Sequence, residues 1–246
     1  MTDLVPVVIA GAALAGLVQG LSGFAFGLVA MSLWAWTLDP QLAAVLVVVG
    51  ALSGQVLTKL SAGRPTFTPI MFPYFLGAGA GLPLGLSLLP SINLVMFKLL
   101  VGTFLVAWCP VMLFGKTMPA IRGGGRPADC LVGLIGGAMA GLGGLSGPVP
   151  AFWTSLKGLD KRTQRDVIQN FNLVILATTL AAYLATGIVR KEMLPMIAVL
   201  IPAGLIPTYI GSRLFPKVPE LHFRQLILVL LTLSGGTILV STLFQG

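Results

Sequence analysis

Two apolar runs of about 30 residues, 4–36 and 128–156, are each interrupted near the middle by helix breakers: "GLSGFAFG" at Gly20 to Gly27 and "GLGGLSGPVP" at Gly141 to Pro150. About 20 apolar residues already make a bilayer-crossing helix, so each run is too long for one straight crossing. Glycine and serine, moreover, continue a helix poorly. Six further apolar runs, 41–60, 69–89, 94–114, 164–187, 192–212 and 224–244, have ordinary spanning length. Charged residues make up only 9% of the chain and the mean hydropathy is +0.98, whereas soluble domains carry roughly 25% charged residues. The pattern predicts an all-α polytopic membrane protein with eight hydrophobic segments and no separate soluble domain.

The net charge of +8 does not point to nucleic acid, because the fifteen Lys and Arg residues lie mainly between the apolar runs, where headgroups and topology place them. Cys109 and Cys130 have no CxxC spacing and no histidine partner, so neither a disulfide framework nor a metal or cofactor site is expected. Asp39, Asp129, Asp160 and Asp166 all fall near run ends, which leaves no mid-membrane carboxylate for proton coupling. There is also no nucleophile with a nearby base and no phosphate loop, so an enzyme is not expected. Trp34, Trp36 and Trp153 read as interfacial aromatics. Lys98 and Arg224 read as cationic anchors that reach toward the interface.

The chain resembles itself. A shift of 121 residues aligns Gly16 with Gly137, Gly20 with Gly141, Leu21 with Leu142, Gly23 with Gly144, and Leu38-Asp39 with Leu159-Asp160; a shift of 126 aligns Gly85 with Gly211 and Lys98 with Arg224. This predicts a first repeat over 1–121 and a second over 122–246. If all eight runs cross, the basic residues other than Lys98 divide seven and seven. If the first and fifth are re-entrant hairpins, they divide twelve against two, with only Arg190 and Lys191 in the minority. The hairpin arrangement obeys the positive-inside rule. Each repeat is then one broken-helix hairpin plus three crossings, so the second repeat is inverted, both termini lie outside and the Lys116 to Arg126 loop is cytoplasmic. Inverted repeats with discontinuous helices are a transporter pattern.

Half-helices of about 15 residues rise about 22 Å, which puts both breaks near the midplane, facing each other. The helix that follows each break, from Phe24 or from Pro148, turns its positive end toward it, and such an end attracts an anion. Candidate binding residues are therefore Gly20, Leu21, Ser22, Gly23, Phe24 and Phe26 at the first break, and Gly143, Gly144, Leu145, Ser146 and Gly147 at the second. Ser22 and Ser146 would donate hydroxyl bonds, and Phe24 and Phe26 would form an apolar wall or gate. The competing reading makes the glycines packing sites, as Gly16-x-x-x-Gly20 and Gly81-x-x-x-Gly85 suggest. In "IQNFN", Asn170 is either an auxiliary donor to the ligand or interhelical glue. Gln19 is a further candidate, while Gln55 reads rather as a packing or interfacial residue.

At "LVQGLSGFAFGLVAMSL" (Leu17 to Leu33), "GLIGGAMAGLGGLSGPVPAFW" (Gly133 to Trp153) and "GLD" with the following "KRTQRDVIQN" (Gly158 to Asn170), the sequence resembles the sulfite exporter TauE/SafE family. The first block is similar to a "GFGFG" turn found in one branch of that family, here with Ala25 in place of a glycine. The resemblance implies a transporter of small sulfur-containing or organic anions, such as sulfite, sulfoacetate or another sulfonate, in a bacterial cytoplasmic membrane. An alternating-access secondary transporter is the leading expectation. An anion channel or passive facilitator and a non-transporting membrane scaffold are the alternatives. The partners expected are the anion, the lipid bilayer, an unidentified coupling ion if there is one, and a second copy of the chain if it oligomerises.

Overall fold

The computed structural model describes residues 4–62, 68–114, 124–159, 161–214 and 220–244. The boundary between the two repeats lies outside these residues, as do both chain ends, Arg64, Lys116, Arg122, Asp160 and Lys217. The described residues form ten α-helices and no strands: Val5–Ser22 (α1), Phe26–Trp34 (α2), Pro40–Ala62 (α3), Phe72–Leu88 (α4), Leu94–Phe114 (α5), Gly125–Gly143 (α6), Pro148–Leu156 (α7), Lys161–Ala185 (α8), Leu194–Leu214 (α9) and Glu220–Phe244 (α10). Six stretches within them are long and apolar enough to cross a membrane. The order of lengths recurs: a long helix, a helix of nine residues, then three long helices.

Helix ends follow local chemistry. The Asp39 carboxylate accepts the N–H groups of Gln41 and Leu42 at 3.0 and 3.2 Å, and Asn93 accepts that of Met96 at 2.8 Å, which satisfies amides that lack a partner within the helix. Gly187, at φ +74°, ends α8, and the Ile188 N–H returns to the Tyr183 carbonyl at 3.0 Å.

Lipid tails are as apolar as leucine, so helices in a bilayer associate through close packing rather than hydrophobic gain. Glycine provides that approach here. In the most extensive pairings α4 lies along α6, α1 along α9, and α5 against α10. Gly16 abuts the Gly204 carbonyl, Gly20 abuts Thr208 and Gly211, Gly77 abuts the Cys130 carbonyl, and Gly81 and Gly85 abut the carbonyls of Leu134 and Ala138. A β-carbon at any of these positions would collide with facing backbone. The long first helix of each half thus pairs with the fourth helix of the other, and the Gly-x-x-x-Gly pairs serve helix packing.

Each nine-residue helix folds back along the long helix before it. The Trp34 indole N–H at the end of α2 donates to the Val7 carbonyl near the start of α1 at 3.1 Å, and its ring lies against Gly11. At the end of α7, Trp153 donates to Asp129 in the first turns of α6 at 2.6 Å, and the Lys157 ammonium reaches the same carboxylate at 2.9 and 3.0 Å. Trp34 is therefore no interfacial aromatic: it is fully buried, edge-on to Phe26. Between the hairpins runs α3, whose stretch Leu42 to Val48 is entirely buried.

Candidate functional site

At the first break α1 ends on Ser22 and Gly23. Gly23 adopts φ +88°, a left-handed conformation that glycine alone enters readily, and its N–H returns to the Gln19 carbonyl at 2.6 Å. The exposed Ser22 hydroxyl accepts the Ala25 N–H at 3.2 Å and the Phe24 N–H at 3.4 Å. Among the described residues no group accepts the proton of that hydroxyl. The first-turn amides of α2, at Phe26, Gly27 and Leu28, precede the first backbone bond of that helix, from Val29 N–H to the Ala25 carbonyl, and so face the break without a partner in their own helix.

Side chains from α3 and α8 close around this turn. Gln55 donates its amide N–H to the Gly23 carbonyl at 2.7 Å, and Gln19 donates to the Ala51 carbonyl at 2.8 Å. Gln169 and Arg165 lie beside Gly23. One turn further along α3, buried Lys59 is within electrostatic reach of Asp166 and Arg165. The polar lining thus continues from the first break toward the end of α3.

The second break repeats the backbone turn with different chemistry. Gly144 takes φ +70°, its N–H reaches the Ala140 carbonyl at 2.8 Å, and the Leu145 N–H reaches Met139 at 3.2 Å, a helix-ending pattern that favours glycine. The Ser146 hydroxyl donates to the Asn172 carboxamide oxygen at 2.9 Å, with both residues 2% exposed. Val47 and Val48 pack against Gly144. Helix α7 opens with Pro148 and Pro150, which have no N–H. Of its first three positions only Val149 offers an amide to a ligand.

The two breaks touch. Gly147 lies against the Phe24 side chain, Gly27 against Leu145 and the Gly144 carbonyl, and Gly143 against the Met31 methyl. The structure therefore brings Phe24 and Gly27 against Gly144, Leu145 and Gly147, with Ser22 and Gly23 preceding Phe24 in its own turn and Gly143 and Ser146 in the facing one. It sets others apart. Gly20 packs on α9, Leu21 is buried, and Phe26 fills the core against Gly50 and Trp34, so only Phe24 of the two phenylalanines stands at the junction. The Asn170 amide points to the Met71 sulfur, 3.8 Å away, and Asn172 is the asparagine that meets a break.

Gln55, Gln169 and Asn172 are the polar neighbours that sequence reasoning did not assign to the breaks. Their one sequence signal is an uncharged amide inside an apolar run. No group of three or more His, Cys, Asp or Glu side chains placed to hold a metal ion occurs among the described residues. Apart from the Arg165 guanidinium beside Gly23, the junction offers neutral groups, hydroxyls, backbone amides and carboxamides, and the set suits a small anion held by hydrogen bonds.

The profile of the family described as sulfite exporter TauE/SafE matches residues 8–238. No curated protein and no solved structure matches the chain. The chain belongs to the TauE/SafE family, a family of membrane transporters, and its many apolar helices make it a multi-pass membrane protein.

Proposed function

We propose that this TauE/SafE member is an alternating-access secondary transporter for a small sulfur-containing or organic oxyanion, sulfite, sulfoacetate or another sulfonate, bound at the junction of the two breaks in a bacterial cytoplasmic membrane. The observation that carries the reading is the contact between two left-handed glycine turns 121 residues apart, each followed by a short helix that begins at the junction. A helix start presents free amides and a positive dipole end, which together bind an anion without a charged side chain.

In this reading the two halves, 1–121 and 122–246, are inverted repeats, each a re-entrant hairpin and three crossings. The fold-back of α2 on α1 and of α7 on α6 supports it, as does the reciprocal pairing of α1 with α9 and α6 with α4. Both termini then face outward and twelve basic residues lie on the cytoplasmic side, as the positive-inside rule demands. Two pseudo-symmetric hairpins that meet at one ligand allow the halves to rock about it.

Ser22 and the first amides of α2 would hold most of the oxyanion, because Pro148 and Pro150 deplete the opposite helix of donors. Phe24 would flank the organic part. The test is thermal stability of the purified protein with sulfite, thiosulfate, sulfate, sulfoacetate, taurine and aromatic sulfonates, repeated with Ser22 or Ser146 replaced. A ligand at 100 times its Kd stabilises by about 2.7 kcal/mol, so one anion class should raise the melting temperature, and that effect should fall by about half in the Ser22 variant at the same concentration. If no anion in the panel shifts the wild type, and liposomes show no flux, the reading is wrong.

A further inference from the structure

The first break has a second face, away from the α2 amides, where two buried carboxamides cannot both be satisfied. Gln19 and Gln55 are each 1% exposed, and the carboxamide oxygen of each has no hydrogen-bond partner. Which end of a glutamine amide carries the oxygen is ordinarily assigned rather than seen, but here the neighbours decide it. The bonded end of Gln19 meets the Ala51 carbonyl and that of Gln55 meets the Gly23 carbonyl. A carbonyl accepts only from N–H, so turning either amide would set oxygen against oxygen. Both oxygens are thereby held as acceptors, and leaving such a buried group bare is unfavourable.

These two oxygens belong to one locality. Ala51 and Gln55 are one helical turn apart on the same face of α3, and the Gln19 oxygen lies against Gly54, where an added β-carbon would sit 2.6 Å from it. Gln19 stands one turn before the end of α1, whose unpaired carbonyls and negative dipole end favour a cation. A cluster of neutral oxygens at a helix C-terminus, without a carboxylate, suits a hard monovalent ion. A divalent ion, which dehydrates at far greater cost, takes carboxylates.

We infer that the carboxamide oxygens of Gln19, whose amide is seated on Gly54, and of Gln55 form a sodium site between the end of α1 and α3. The same turn then holds charges of opposite sign at its two ends: the cation where α1 stops, the transported anion where α2 starts. Occupancy of one site favours the other by attraction across the turn, a basis for coupling anion movement to a sodium gradient without an intramembrane carboxylate. The sodium site does not depend on the anion reading.

The experiment uses the full chain in detergent, with chloride as the sole anion and no sulfur oxyanion present. Equilibrium binding of radioactive sodium is measured against unlabelled NaCl and choline chloride, and melting temperature is compared in the two salts at equal ionic strength. The expected result is label displaced by NaCl but not by choline, and a higher melting temperature in NaCl. Gly54→Ala, which pushes aside only the end of the flexible Gln19 side chain, and Gln55→Met should each weaken sodium binding at least tenfold. Absence of displaceable label in the wild type overturns the proposal, as does wild-type affinity in both variants. Sodium binding without any response to the oxyanion panel would leave this site standing and sink the anion reading; the reverse pattern would do the opposite.

Discussion

Gly23 and Gly144 occupy the same position in the two halves, both left-handed, both ending a long helix before a nine-residue one, yet the turns they make are furnished differently. Around Gly23 stand an exposed serine, two glutamines with unmatched oxygens, a third glutamine and an arginine. Around Gly144 stand two valines, and the nearby serine is sealed into a bond with Asn172. The following helices differ too, since α2 starts with three amides and α7 with two prolines among its first three residues. One backbone device thus carries two sets of side chains; in the proposed reading the first break would contact the ligand and the second would be the surface against which it rests.

The hairpin mouths offer the largest test of that contrast. The second is held by a buried carboxylate that pairs with Lys157 and accepts from Trp153, the first by a single indole bond to a carbonyl. Asp129→Ala strands a largely buried ammonium and should cost about 3 kcal/mol or more. Trp34→Phe keeps most of the ring and loses one neutral hydrogen bond, about 1 kcal/mol. Unfolding of the two variants in detergent checks the ranking; equal losses would mean the mouths are equally braced.

The glycine turns come next. Alanine at either position meets left-handed strain of about 1–2 kcal/mol. At Gly144 its methyl would also lie 2.8 and 2.9 Å from the Val47 and Val48 side chains, whereas at Gly23 the nearest atom is the end of Gln169, 3.3 Å away. Packing adds about 1–3 kcal/mol at the former and little at the latter. Gly144→Ala should thus be the less stable protein, and Gly23→Ala should stay folded while binding less anion. A Gly144→Ala protein as stable as Gly23→Ala would show that the valine wall yields.

Much of this architecture can be read along the chain, because the signals are local: apolar runs for the helices, glycine for a turn with positive φ, proline for a helix start. Gly85 and Gly211, matched at a shift of 126, do take equivalent places, Gly85 against α6 and Gly211 against α1, though the match by itself named no contact. What could not be read are relations across the fold. Gln55 lies 32 residues from the carbonyl it meets, and Lys157 lies 28 from Asp129. Asn170 and Asn172 are two positions apart, hence about 200° apart around a helix, and only tertiary packing decides that the second meets Ser146 while the first meets Met71. Trp34 misled for a like reason, since an aromatic at the end of an apolar run looks interfacial until its helix folds back.

The smallest stability effects, and the most informative, separate the two serines. Ser146→Ala leaves the Asn172 oxygen buried without its donor, at a cost of about 1–3 kcal/mol, and should change anion affinity little in proportion. Ser22→Ala removes an exposed acceptor for two amides at the start of α2, a capping loss of about 0.5–1 kcal/mol, yet takes away the one hydroxyl whose proton is not already engaged at the junction. It should weaken oxyanion binding about tenfold, the equivalent of a single hydrogen bond of about 1.4 kcal/mol to a charged group. Measured together, unfolding and ligand-induced stabilisation should move in opposite order for the two variants. If Ser146→Ala instead abolishes binding with stability intact, the sealed hydroxyl must turn to the anion when it binds, and the second break would be a working half of the site.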